Sequence, residues 1–148
     1  MKSFLSHLEC GRSGKCYDAF SLQNLSEAGA PLLARYDLSA AARTLKKRDL
    51  VGRRGDMWRY FEILPIVDHS RLVSLGEGLT PLIRADRLGG ELGLKHLFVK
   101  DESANPTGSF KARGLAAAVN GARERGATRL AMPSAGNAAG AMAAYAAA

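Results

Sequence analysis

The rhythm of apolar and polar positions along this chain changes near residue 72. Residues 1–36 hold no sustained period of two or of 3.6. SAAARTLKKRD, from Ser39, has the composition of a short helix with Ser39 as its cap. VGRRGD (51–56) is a basic, turn-rich link, and MWRYFEIL (57–64) fits two helical turns ended by Pro65. Trp58 and Phe61 then share one face, as core or as a docking surface. Beyond residue 72, glycine and proline punctuate shorter runs. LTPLIR (79–84) reads as a short extended piece and HLFVK (96–100) as a buried strand. DESANPTG is a loop, because the residue before Pro106 resists helix and Gly108 turns the chain. A helix over about 109–125, a second strand at TRLAM (128–132), a loop over 133–136 and a helix from Asn137 complete the series.

Strand, helix, strand, helix in that order predicts an α/β domain with a parallel sheet. Ligands of such sheets bind beyond the carboxyl ends of the strands. The two least ordinary loops, DESANPTGSFK and PSAGN, both fall on that edge. The same pattern divides the chain into a leader, 1–70, and the start of the α/β unit, 71–148. The closing AAGAMAAYAAA is a helical pattern with no stop signal, so a longer natural chain is expected.

Composition narrows the class. The 148 residues are 47% hydrophobic and 24% charged, as in ordinary globular proteins. No run of about 18 uncharged apolar residues predicts a membrane span, and MKSFLSHLEC lacks the apolar stretch of a secretory signal. Two cysteines, Cys10 and Cys16, are too few for a disulfide scaffold and fit a cytoplasmic protein. The net charge is +7, concentrated where Arg43, Lys46, Lys47, Arg48, Arg53, Arg54 and Arg59 face only Asp49 and Asp56. This stretch is either a nucleic-acid patch or a solvated helix and linker; no nucleic-acid motif accompanies it.

Lys111 carries the first chemical signal. An amine at a helix start beside Phe110 is partly dry, and the positive helix end favours its neutral form. Such a lysine can form an imine with an aldehyde; the plainer reading is a lysine that binds a phosphate or carboxylate. SAGN (134–137) combines a hydroxyl, a glycine and an amide at a helix mouth. That loop can hold an anion through backbone N–H groups, or can simply be a capped turn.

Three longer stretches carry a resemblance: SLGEGLTPLIRADRLG (74–89), LFVKDESANPTGSFKARG (97–114) and PSAGNAAGA (133–141). Together they resemble the fold-type II family of pyridoxal-phosphate enzymes and, within it, the threonine synthases. The likeness extends back through MWRYFEILP and PLLARYDL to about Leu32. It implies a three-layer αβα fold around a parallel sheet, incomplete in this chain. It implies pyridoxal 5'-phosphate held on Lys111 as a Schiff base, with Gly108, Ser109 and Phe110 shaping the pocket. Asn137 would bond the cofactor's 3′ oxygen, and Ser134, Ala135 and Gly136 would receive the substrate carboxylate. Lys100 and Asp101 lie near the site without an assigned role. The implied reaction converts O-phospho-L-homoserine and water into L-threonine and phosphate, by γ-elimination and then addition of water at Cβ. A homodimer is implied for the full-length enzyme; no nucleic-acid or membrane partner is.

Departures from the family's pattern are also legible. Relatives carry paired cysteines in the leader; here Ser13 stands in LECGRSGKC where a paired cysteine belongs. Cys10, Cys16 and His7 fall short of the four ligands of a structural zinc, so no metal is expected. Ala138 replaces a threonine found after the asparagine in some relatives. The glycine-rich cup for the cofactor phosphate is missing from these 148 residues. Threonine dehydratase and cysteine synthase share both loops and remain alternatives. A non-catalytic remnant or basic anion-binding module is the alternative of another class.

Overall fold

A computed structural model describes residues 2–148. The first 36 residues, aperiodic in sequence, form a small antiparallel sheet of order β2-β1-β3. It comprises β1 (Leu5–Cys10), β2 (Cys16–Tyr17) and β3 (Leu32–Tyr36). Leu8 pairs with Tyr17 on one side and with Ala34 on the other. Gly14, at φ 72°, supplies the left-handed residue in the turn between β1 and β2. Cys10 is buried beneath that turn, its Sγ 3.1 Å from Ser26 Oγ and accepting from the Ser13 N–H at 3.3 Å. Hydrogen bonds from Ser13, Ser26 and the local backbone pull its thiol down to about 6.

Helix α1 (Leu38–Thr44) forms where expected but one turn-edge earlier. Its cap is Asp37, which accepts from the Ala40 N–H at 2.8 Å, and not Ser39. A carboxylate at this position also meets the positive helix end, which a hydroxyl one step inside the helix cannot do. Met57–Ile63 is a 3-10 segment capped by Asp56, and it buries Met57, Trp58 and Phe61. Trp58 and Phe61 are therefore core. The basic stretch beside it is partly structural rather than wholly solvated. Arg53, with only 12% of its side chain exposed, grips Glu62 with two bonds of 2.8 and 2.9 Å and stacks 4.7 Å from the Phe61 ring. Arg54 pairs with Asp56, and Arg59 donates to the Leu50 carbonyl at 2.6 Å.

The second sheet differs from the expected one. β4 (Leu82–Arg84) and β5 (Phe98–Lys100) flank α2 (Asp86–Glu91), and they pair antiparallel, Ile83 opposite Val99. HLFVK is thus a three-residue strand, and in this chain it is exposed, Val99 at 47%. Residues 128–132 enter no ladder, and Leu130 and Met132 remain exposed. No parallel pair exists among the described residues, because a strand is defined by its neighbours and these segments find none of that orientation here. The chain is a mixed α/β fold.

The core lies where α3 (Lys111–Glu124) packs on α4 (Asn137–Ala147). Ala112, Ala116 and Val119 of α3 meet Tyr145 of α4, with Met57, Trp58 and Ile66 beneath. Alanines on the contact face let a tyrosine and a tryptophan fill the space without a void. This cluster draws residues from both sides of position 70.

One backbone crossing fixes the 74–81 loop against this core. The Met57 N–H donates to the Glu77 carbonyl at 2.7 Å. Gly78, at φ 111°, lies so close that a Cβ there would stand 2.6 Å from the Met57 nitrogen. Leu79 follows at φ 44°, a conformation few bulky residues adopt. Gly78→Ala is expected to lower stability by about 2 kcal/mol, by backbone clash and left-handed strain together. Urea unfolding would register it as a lower midpoint at unchanged slope.

Candidate active site

The loop that ends at Lys111 is tied down residue by residue. Asp101 donates its N–H to the Pro81 carbonyl at 3.0 Å, and its carboxylate caps the 3-10 turn Glu102–Ala104 through the Ser103 N–H. Buried Asn105 bonds in three directions. Its amide donates to the Glu102 carbonyl and carboxylate at 2.8 and 3.0 Å, and its oxygen accepts from the Gly78 N–H at 3.1 Å. Gly108, at φ 70°, then turns the chain back, donating to the Asn105 carbonyl at 2.8 Å. Ser109 is buried, and it receives the opening of α3: the Lys111 N–H donates to Ser109 Oγ at 3.4 Å and the Ala112 N–H to the Ser109 carbonyl at 3.2 Å.

Three cations crowd this region, and two are claimed by the fold. Lys100 donates to the Thr80 carbonyl. Arg113 holds Glu102 through bonds of 2.6 and 2.8 Å. Lys111 is half-buried, and among the described residues no carboxylate or acceptor lies within bonding distance of its amine. Its amine lies over the Phe110 ring, 4.5 Å from the centroid; Phe110 is itself 58% exposed. An amine left free on a loop held by Asn105, Glu102 and Arg113 has the donor chemistry that an aldehyde-bearing cofactor requires. The residues present fit such a group.

The second loop is built differently. Ser134, Ala135, Gly136 and Asn137 are all exposed. Ser134 Oγ accepts from the Gly136 N–H at 3.1 Å and the Ala139 N–H at 3.0 Å, so its oxygen caps α4. The N–H groups of Asn137 and Ala138 have no acceptor among the described residues, and the Asn137 amide is unbonded. Lys111 and Phe110 are thus in contact, and the helices they and Asn137 open pack together through one core. No bond joins Lys111 to the 134–137 loop.

The structure adds residues the sequence did not single out. Glu102 and Arg113 pair beneath the lysine loop, and Thr80 joins them, donating to Glu102 at 2.6 Å. Glu77 is 0% exposed. Its carboxylate accepts from Trp58 Nε1, from the Tyr145 hydroxyl at 2.8 Å and from the Leu75 N–H at 3.0 Å. Burial, then Glu77, pushes the Tyr145 hydroxyl well above the usual tyrosine range. A glutamate between two glycines looks like a surface turn, and only its partners reveal otherwise. No group of three or more His, Cys, Asp or Glu side chains is placed to share a metal among the described residues.

Comparison with known proteins follows the same lines. The family model described as pyridoxal-phosphate dependent enzyme matches residues 73–148. The threonine synthase of Methanocaldococcus jannaschii is 43% identical over 138 residues, 93% of this chain and 34% of that protein. The threonine synthase of Methanosarcina acetivorans is 37% identical over 140 residues, covering 94% and 34%. That of Halalkalibacterium halodurans is 48% identical over 92 residues, covering 62% and 26%. The chain spans about a third or less of the length of these relatives.

Proposed function

Since the chain belongs to the pyridoxal-phosphate dependent enzyme family, we propose that it is the lysine-bearing part of a threonine synthase, a lyase converting O-phospho-L-homoserine and water into L-threonine and phosphate. The observation that carries this reading is the amine of Lys111, which has no ion-pair or hydrogen-bond partner among the described residues, on a loop held by the bonds of Asn105, Glu102 and Arg113. Pyridoxal phosphate, when bound, supplies an aldehyde for the lysine amine and a ring that accepts the electron pair left at Cα. Lys111 would hold the group, and its amine, when free, would serve as the base for the Cα proton. The same amine carries protons in the later steps, since it is the one uncommitted base on the loop. Phe110 walls the amine on one side, and Asn137, whose amide has no partner among the described residues, would bond the cofactor's 3′ oxygen. The N–H groups that open α4, behind Ser134, Ala135 and Gly136, receive the substrate carboxylate. Ala138, lacking a hydroxyl, leaves recognition of the substrate phosphate to other groups.

In this reading the division at residue 70 separates a leader from the catalytic unit, and the fold is the three-layer αβα form of fold-type II. The segment 128–132 and the exposed strands β4 and β5 then find further sheet neighbours in the full-length protein, which also supplies the cup for the cofactor phosphate. Exposed apolar side chains on Leu82, Ile83, Phe98 and Val99 support that reading. The protein is cytoplasmic and homodimeric in this proposal. The test is product analysis on the full-length protein supplied with O-phospho-L-homoserine and pyridoxal phosphate. Equimolar threonine and phosphate are expected; a keto acid with ammonia, or no turnover, would overturn the assignment.

A further inference from the structure

Glu102 sits at the meeting point of three separated stretches. Its two oxygens accept from Arg113 at 2.6 and 2.8 Å, from Thr80 at 2.6 Å and from Asn105 at 3.0 Å. Asn105 in turn takes the Gly78 N–H, and Arg113 also reaches Thr80 Oγ1 at 3.3 Å. The 74–81 loop, the 101–110 loop and the first turn of α3 are therefore cross-linked through one carboxylate. Arg113 stands two residues beyond Lys111 in that turn. Two-pronged geometry between a planar guanidinium and a carboxylate resists rotation as well as separation.

Resting on the reading of Lys111 as the cofactor lysine, we infer that Glu102 and Arg113 are positioning residues for it: the pair ties the start of α3 to the 74–81 and 101–110 loops and holds it rigid. The clamp is durable toward acid. Hydrogen bonds from Arg113 and Thr80 hold the Glu102 carboxyl at about 2, below its ordinary 4.5. A depressed carboxyl of this kind contributes its full stability above pH 4.5 and loses it as the pH falls toward 2. The pair is intact across the whole range in which an enzyme of this class works.

The test uses the full-length holoprotein and, separately, the same protein stripped of cofactor. Glu102→Gln removes the charge and keeps the shape. It is expected to speed amide exchange at Asn105 and Gly108 about tenfold in the cofactor-free protein, and to cut kcat about tenfold with a smaller change in KM in the holoprotein. Arg113→Lys keeps the charge and loses the two-pronged grip. It is expected to speed amide exchange at the same two residues about tenfold in the cofactor-free protein. A Glu102→Gln protein that folds with wild-type kcat overturns the positioning role. Wild-type exchange rates in Arg113→Lys overturn the rigid clamp, and this measurement stands even if Glu102→Gln does not fold. If the wild-type band survives Lys111→Ala, the functional reading fails instead; exchange in the cofactor-free protein still decides the clamp.

Discussion

Lys111→Ala is expected to abolish the visible absorbance of the lysine-bound cofactor and to reduce turnover by at least about a thousandfold, the scale on which a positioned proton-transfer group contributes. The fold should survive the change. The Lys111 side chain makes no hydrogen bond or ion pair among the described residues, and its contact with the Phe110 ring contributes only about 0.5 kcal/mol at so exposed a site. Alanine is also the best helix former for the first position of α3. Urea midpoints of wild type and variant should therefore agree closely while absorbance and activity part company. A variant that kept the absorbance band would remove Lys111 from the chemistry and favour the anion-binding module. Added small amines that restored part of the activity would support the proton-transfer role specifically.

The largest effect on stability is expected at Glu77. Truncation to alanine leaves Trp58 Nε1–H and the Tyr145 hydroxyl facing a vacated, water-poor space. Each buried donor without a partner costs about 1–3 kcal/mol, so the combined loss should be about 3 kcal/mol or more. Trp58 is the one tryptophan of this chain and sits on the lost carboxylate. Its fluorescence would report both the shifted unfolding midpoint and a change of environment in the folded state. Glu77→Gln, which keeps one acceptor oxygen, should fall between. Loss of less than about 1 kcal/mol in the alanine variant would mean that water replaces the carboxylate freely and that the site is not sealed. Tyr145 gives the same junction an alkaline limit. Its hydroxyl titrates higher in the fold than the ordinary 10.0, so its contribution is complete below pH 10 and is lost as the pH rises beyond that value.

Much of the local structure was legible because the signals are local. Asn105-Pro106 and Gly108 placed a loop, and a run of small helix formers after Lys111 placed α3. The helix opening at Asn137 was equally plain. The cap of α1 was misplaced by two residues, since Asp37 and Ser39 are both good caps and sequence offers no ground for choosing. The antiparallel sheet of the first 36 residues escaped notice because it is half exposed, and exposure on both faces erases the period of two. Residues 128–132 carry strand composition yet join no ladder here, because pairing needs a neighbour that composition cannot supply.

What the sequence by itself determined is chemical identity: an ordered set of loops, one lysine at a helix mouth, and through them the family. Those features are read from neighbours along the chain, where spacing and residue type suffice. Only the tertiary structure decided which charges are spent. Glu102 is taken by Arg113, Arg53 by Glu62, and Glu77 by Trp58 and Tyr145, across separations of 9 to 68 residues. A hydrogen bond between distant residues leaves no periodic trace in the chain that makes it.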